Sequence, residues 1–390
     1  MNILFFSSYS QYADHPVGGA EISLQLIAEK MAKLKETVSY ATLGDFVFPG
    51  YRKTTTNGIK IYHIKCIRWP YFKGLLFPRQ GEQFITYQRR KFLADIIQKE
   101  HVDIVHCYDT IMDTYDILKA RDKYNLKIKV VKRVSGLFWA YLLRTNRISK
   151  QHVEWVFNSV DLINYLTPAF KELVLENCQK YGLNFTPKKE IITDIGINIS
   201  EIPFCWKPEK KRAFNLVCVA RFSSYQKRQD LLIEALSQTK GVPFTVDFIG
   251  VGENFGNCKN LCRKLGIEQQ CFFHGYLPQK RIYQILSQSD LFVLPTNYEG
   301  LPKSLLEAMA IGLPCLVSDT KPLNAYIQDS KNGFLVENTP SQWAKKIGSL
   351  YEYRGETSDI SQRGREFVEL NYDADKNILK YHEEFKNLIK

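Results

Sequence analysis

Short apolar runs alternate with helix-length amphipathic stretches along all 390 residues of this chain. Runs of β-branched and aromatic residues bounded by turn residues read as buried strands, and the longer 3.6-periodic stretches between them read as helices. In the first half the predicted strands fall at 2–6, 38–43, 59–64, 103–107, 129–134, 162–166 and 190–193. In the second half they fall at 216–220, 245–249, 271–274, 291–294, 315–317 and 334–336. The clearest helices by period are 20–35 and 229–237. Such alternation predicts an α/β protein with parallel sheets covered by helices on both faces. The segment IPFCWKPEKKRAFN carries two prolines and a charge cluster, so a linker is expected near 200–213. Two Rossmann-like domains, 1–205 and 206–372, then face each other across a cleft. A last helix within 373–390 is expected to cross back to the first domain. Ligands of such sheets gather at the carboxyl ends of the strands.

The stretch LFVLPTNYEGLPKSLLEAMAIGLPCLVSD, residues 291–319, carries the most chemistry. Its first strand breaks at Pro295, and Glu299 and Gly300 fall in the loop that follows. Pro302 suits the first position of a helix over 303–311. Gly312 and Pro314 stop that helix ahead of the strand at 315–317. The helix is apolar nearly all round except for Glu307, so it is expected to be buried. A buried carboxylate needs a partner, and a diol suits one because a carboxylate accepts both hydroxyl protons. Backbone N–H groups at the helix start, with its dipole, suit a phosphate. Carboxylates for hydroxyls beside an anion site make the chemistry of a nucleotide-sugar.

Other positions at predicted strand ends add to this. Gly18 and Gly19 open the first long helix, where paired glycines either admit a phosphate or simply turn the chain. Arg221 ends one strand and Lys227 follows in its loop; both suit a diphosphate, with Arg228 competing for the second role. Gly250 and Gly252 follow the next strand but fail as a dinucleotide fingerprint, because the third glycine is displaced to Gly256. They remain a tight turn at the cleft. His274 reads as a core histidine, while Tyr276 and Leu277 are placed to border a base. In the first half, Asp109 and Ser135 follow strands and are the acceptor-side candidates, although Asp109 serves equally well as a helix N-cap. Residues 66–91 interleave Trp69, Tyr71 and Phe72 with Arg68, Lys73, Arg89 and Arg90, a pattern that fits either an anionic membrane interface or a solvated loop.

Composition narrows the picture further. The chain has 53 basic and 41 acidic residues, a net charge of +12. Residues 1–205 hold 28 basic and 20 acidic side chains, against 25 and 21 in the remainder. That excess fits nucleic acid, an anionic membrane or a polyanionic substrate. The basic residues are spread over both halves and form no nucleic-acid-binding module, so no nucleic-acid partner is expected. Nine cysteines without a CxxC or zinc spacing read as reduced thiols of a cytoplasmic protein, with no metal expected. No signal peptide is evident, and no apolar run approaches the roughly 18 residues of a membrane span, so any membrane contact is expected to be peripheral, at the inner face.

Taken together, the chain resembles the retaining GT-B glycosyltransferases of glycosyltransferase family 4. The resemblance is strongest from Asn215 to Val336. Its most specific element is Glu299-Gly-Leu-Pro-Lys-Ser-Leu-Leu-Glu307-Ala-Met-Ala, which matches the family's E-x7-E motif. By resemblance, Glu299 contacts the transferred sugar and Glu307 the ribose hydroxyls. Gly300 and Leu301 then offer backbone to the diphosphate, Arg221 and Lys227 neutralise the leaving nucleoside diphosphate, and Gly18 and Gly19 match the amino-terminal glycine loop. Lys227 lies one residue further along than the commonest spacing. Ser135 stands where the family commonly has a histidine, so that residue's donor contact does not carry over. The resemblance implies transfer from a UDP- or GDP-sugar, a substrate rather than a cofactor, to a glycan or lipid-linked hydroxyl in cell-surface polysaccharide or glycolipid synthesis. A sugar-nucleotide epimerase of the same fold is the competing enzyme reading. It would need an acid/base pair at the sugar, and no convincing one is evident.

Overall fold

The computed structural model divides into two compact units, Met1–Ile195 with Ala374–Lys390, and Gly196–Asp373. It describes every residue except 14–18, 46–47, 68–77, 109, 206–212, 224–225, 322 and 354–356, and the side chains of 78–82 within a helix. Gly18, Asp109, much of the basic-aromatic stretch and part of the expected linker therefore lie outside the described residues.

The first unit is built on strands β1 (Asn2–Phe6), β2 (Thr37–Leu43), β3 (Gly50–Thr56), β4 (Ile59–Lys65), β5 (Ile104–Cys107), β6 (Lys129–Val134), β7 (Leu162–Tyr165) and β8 (Glu190–Ile192). They form one sheet in the order β3-β4-β2-β1-β5-β6-β7-β8. All pairs are parallel except β3 with β4. The parallel sheets expected from the sequence are present, and β3 adds one antiparallel edge strand. Strand β3, GYRKTTT, lacks an apolar run because it is an exposed edge. The Asn57-Gly58 turn, with φ of 51° and 80°, returns it to β4, the backbone that a two-residue hairpin demands.

The helix Ala374–Ile389 belongs to this first unit, burying Ala374, Ile378, Tyr381 and Phe385 against Leu24, Ile27 and Met31 of the helix Gly19–Lys33 and against the sheet. Its Tyr381 hydroxyl lies 2.7 Å from the Thr193 carbonyl, and Lys30 pairs with Asp375 at 2.5 Å.

The second unit has strands β9 (Phe214–Val219), β10 (Phe244–Ile249), β11 (Cys271–Gly275), β12 (Leu291–Leu294), β13 (Cys315–Ser318) and β14 (Phe334–Val336). They form an all-parallel sheet in the order β11-β10-β9-β12-β13-β14, with an apolar core on each face. The unit begins at Gly196 rather than at the expected 206. Ile197, Ile199 and Ile202 are buried in its core, and Ile197 N donates to the Tyr372 carbonyl at 2.9 Å. Gly196, at φ +73°, passes so close to Tyr372 that an added Cβ would lie 1.9 Å from its carbonyl oxygen.

All nine cysteines are free thiols. Among the described residues, no helix is long and apolar enough to cross a membrane.

Candidate active site of the second unit

The strand order of the second sheet reverses between β9 and β12, and the crevice outside such a switch point is where ligands collect. Two loops meet there. Lys227 and Thr296 form an antiparallel bridge; Arg228 N donates to the Pro295 carbonyl at 3.0 Å, and Asn297 N to the Gln226 carbonyl at 2.8 Å. Ser223 Oγ accepts from the backbone of Gln226 at 3.3 Å and of Lys227 at 3.1 Å. Zipped in this way, the loops bring Lys227 Nζ into an ion pair with Glu299 Oε1. Glu299 is only 4% exposed, and a carboxylate so buried is tolerated because a cation meets it. Arg228, the competitor for Lys227, instead pairs with Asp230 on the helix Gln229–Gln238 at 3.0 Å.

Arg221 lies in the loop after β9, and its side chain is exposed. Among the described residues no carboxylate forms an ion pair with it. Its backbone is held by the glycine turn after β10. There Phe222 N donates to the Val251 carbonyl at 3.0 Å, and Asn254 N to the Phe222 carbonyl at 3.2 Å. A Cβ on Gly250 (φ +138°) would come within 2.1 Å of the Ala220 oxygen, and one on Gly252 (φ +154°) within 2.1 Å of the Phe222 oxygen. The close approach that requires glycine here is therefore to the Arg221 loop. Gly250 N also donates to the Gly275 carbonyl at 2.8 Å, which brings Tyr276, 60% exposed, beside the same turn. His274, next to it, is occupied by Asp247, with Nε2 and Oδ1 2.6 Å apart.

The helix Lys303–Ile311 starts one residue later than its proline suggests. Pro302 occupies the N-cap, with φ −79° and ψ 73°, and offers no capping side chain. Its carbonyl accepts from Leu305 N at 2.9 Å and Leu306 N at 3.1 Å, while Lys303 N turns back to the Leu301 carbonyl at 2.9 Å. The N–H groups of Gly300, Leu301 and Ser304 have no acceptor among the described residues, so the helix entrance keeps donors for an anion. Tyr326 fixes this entrance by donating its hydroxyl to the Gly300 carbonyl at 2.8 Å. At the other end Gly312 closes the helix in the left-handed conformation at φ 93°.

Glu307 sits on this helix, half-buried. Desolvation pushes its carboxyl up to about 7, opposed by the Lys303 ammonium one turn back and by the nearby polar side chains of Gln279 and Tyr283. Both lie on the helix Gln279–Gln288, which packs against Lys303–Ile311. Sequence reasoning stopped at Tyr276 and Leu277 and missed them. The available signal was their spacing, since residues four apart share one helix face.

The remaining candidates belong to the first unit. Gly19 is exposed at the first turn of its helix, and Ser135 follows β6, partly buried. At this unit's own switch point, between β1 and β5, Ser8 N donates to the buried Asp113 at 3.0 Å, and Ser8 Oγ bonds the same carboxylate. Buried His106, beside Arg133, is pushed by desolvation down to about 3 and stays neutral. Arg89 and Arg90, at the end of the basic-aromatic stretch, both pair with buried Asp116, Arg90 at 2.7 Å.

Comparison with known proteins supplies an independent line. Residues 205–367 match the family model for glycosyl transferases group 1. The lipopolysaccharide 1,6-galactosyltransferase of Escherichia coli (strain K12) is 26% identical over 265 residues, 67% of this chain and 68% of that protein. For another relative from the same organism the matched share is 63% of its length. Among solved structures, a sucrose-phosphate synthase from Thermosynechococcus elongatus superposes with a TM-score of 0.80 at 14% identity, covering 99% of this chain and 98% of that one. Anabaena Alr3699/HepE in complex with UDP-glucose gives 0.75 at 16% identity, covering 99% and 100%. The fold is GT-B.

Proposed function

Because residues 205–367 match glycosyl transferases group 1, we propose that this chain is a glycosyltransferase that moves a sugar from a UDP- or GDP-sugar to a hydroxyl of a glycan or lipid-linked acceptor, with retention at the anomeric carbon. The observation that carries this reading is the pairing of Lys227 with Glu299, 72 positions apart, beside a helix entrance where three N–H groups have no acceptor among the described residues. A cation and a carboxylate next to an anion site match a donor that presents hydroxyls at one end and a diphosphate in the middle.

In this reading, charge grows on the departing diphosphate as the glycosidic bond loosens. Arg221, Lys227 and the N–H groups of Gly300, Leu301 and Ser304 stabilise that charge electrostatically, most strongly where it develops. Glu299 orients the sugar hydroxyls, and Glu307 accepts from the ribose. Gly250, Gly252 and Tyr276 border the donor beside the Arg221 loop. No nucleophilic carboxylate is assigned, so the acceptor attacks on the face the diphosphate leaves, its proton passing to a donor phosphate oxygen. No metal is assigned a role. In the first unit, Gly18 and Gly19 remain donor-side candidates, and Asp109 and Ser135 acceptor-side candidates. Synthesis of cell-surface polysaccharide or glycolipid is supported by the likeness to a lipopolysaccharide 1,6-galactosyltransferase.

A thermal-shift screen against UDP-, GDP- and ADP-sugars tests the donor class, since a ligand that binds only the folded state raises its melting point. A rise with one UDP- or GDP-sugar, followed by transfer with the donor's anomeric configuration kept, is the expected result. Conversion of the donor to an epimer with no acceptor present would replace this reading.

A further inference from the structure

The carbonyl that precedes Glu299 is held by two side chains. Tyr298 O accepts from Thr296 Oγ1 at 2.9 Å and from Gln226 Nε2 at 3.0 Å. The Thr296 hydroxyl also lies 3.2 Å from the Gln226 carbonyl, so its single proton is shared between the Lys227 loop and the Glu299 loop. Thr296 is fully buried, and its backbone is held as firmly as its side chain. Its N–H donates to Ser318 Oγ at 2.8 Å, Ser318 Oγ donates to Asn338 Oδ1 at 2.5 Å, and Asn338 Nδ2 returns to the Thr296 carbonyl at 2.8 Å. The Ser318 hydroxyl accepts one of these bonds and donates the next, which fixes the direction of the whole ring. Ser318 ends β13 and Asn338 follows β14, the two strands beyond β12 in the sheet. The sheet thus anchors Thr296, and Thr296 sets the register of both loops.

We propose that Thr296, seconded by Gln226, is a positioning residue that sets Glu299 and Lys227 for sugar transfer. The inference rests on the roles given to those two residues above and adds what fixes their geometry. Glu299 lies outside any helix or strand, so no ladder of backbone bonds holds it in place. Its position depends on the Tyr298 peptide, whose oxygen Thr296 and Gln226 both grip. On the opposite loop, Lys227 bridges the Thr296 backbone and follows the Gln226 carbonyl that the same hydroxyl reaches. A displacement of about 1 Å in a catalytic group can cost about 10²-fold in rate. Valine has the shape of threonine without the hydroxyl, so Thr296→Val frees the loops at this one point and leaves the surrounding core filled.

The test measures turnover of the UDP- or GDP-sugar found by the thermal-shift screen, using the full chain and its variants Thr296→Val, Thr296→Ser, Gln226→Ala and Glu299→Gln. Thr296→Val should lower kcat by about 10- to 100-fold and change the donor KM by less than about threefold, the mark of an interaction that matters in the transition state. Thr296→Ser keeps the hydroxyl and should recover most of that loss. Gln226→Ala, at a half-buried position, should give a smaller fall in kcat in the same direction. Because Thr296 acts through Glu299, adding Thr296→Val to Glu299→Gln should cost little further rate, whereas independent effects would multiply. Losses that multiply in the double variant, or a failure of serine to restore what valine removes, would reduce Thr296 to a structural residue. If Thr296→Val and Gln226→Ala both keep the kcat of the parent, the positioning role is wrong and the proposed function stands. If the parent turns over no UDP- or GDP-sugar, the proposed function fails, and this inference with it.

Discussion

The two sheets share a topological plan and use it differently. In each, strand order reverses beside the first strand of the unit, between β1 and β5 in one and between β9 and β12 in the other. At the first switch point the polar groups bond one another: Asp113 takes two hydrogen bonds from Ser8, and Asp116 takes both Arg89 and Arg90. At the second, an exposed arginine, a half-buried carboxylate and a helix entrance whose first N–H groups have no acceptor among the described residues lie near one ion pair. A carboxylate already met by the protein has less to offer a ligand than a donor left without an acceptor. The contrast concerns these carboxylates alone, because buried His106 and partly buried Thr110 of the first unit also keep polar side-chain atoms without a hydrogen-bond partner among the described residues.

The sharpest way to break the contrast is at Lys227 and Glu299. Glu299→Ala should slow transfer by about 10²–10³, in line with the loss of one charged contact in an active site. It should also lower stability by about 3 kcal/mol, because Lys227 is left largely buried and unpaired. The double variant Lys227→Met/Glu299→Gln should regain much of that stability in a denaturant melt and none of the turnover. Wild-type rates in either protein would remove the pair from the site. A smaller effect is expected in the first unit, where Asp113→Ala should cost about 1–3 kcal/mol through the orphaned Ser8 donors. Titration of UDP or GDP should meanwhile give an unchanged affinity, and a parallel fall would mean that both switch points serve the nucleotide. Smallest of all, Arg228→Ala removes a local, partly exposed pair with Asp230. It should change stability by no more than about 0.5 kcal/mol and turnover by less than twofold. A large loss there would return the diphosphate role to Arg228.

What was legible in the sequence followed local rules. The strand at 291–294 and the helix at 303–311 stand where periodicity, Gly312 and Pro314 put them, because burial on both sides leaves an unbroken apolar run. The partnership of Lys227 and Glu299 depends on two loops separated by 72 residues, and no local pattern encodes it. By contrast, the pairing of Arg228 with Asp230 spans two positions and was open to local reading. The same is true of β3, whose Asn57-Gly58 turn announces a hairpin although its strand has no apolar face. Gly250 and Gly252 show the opposite difficulty. Their residue type was informative, but it pointed to closeness without saying to what, and the structure answers with the carbonyls of Ala220 and Phe222. Pro302 takes the N-cap rather than the first helical position, with a ψ of 73° that no propensity predicts.

The helix Ala374–Ile389 has a consequence for biogenesis. Residues 1–195 leave the ribosome first, yet four of their core neighbours, Ala374, Ile378, Tyr381 and Phe385, are translated only after the entire second unit. Burial of a large apolar side chain is worth about 1.5–3 kcal/mol, so the three large ones together rival the net stability of a whole domain, about 5–15 kcal/mol. The nascent amino-terminal unit must therefore wait, part of its apolar core uncovered, while Gly196–Asp373 is translated.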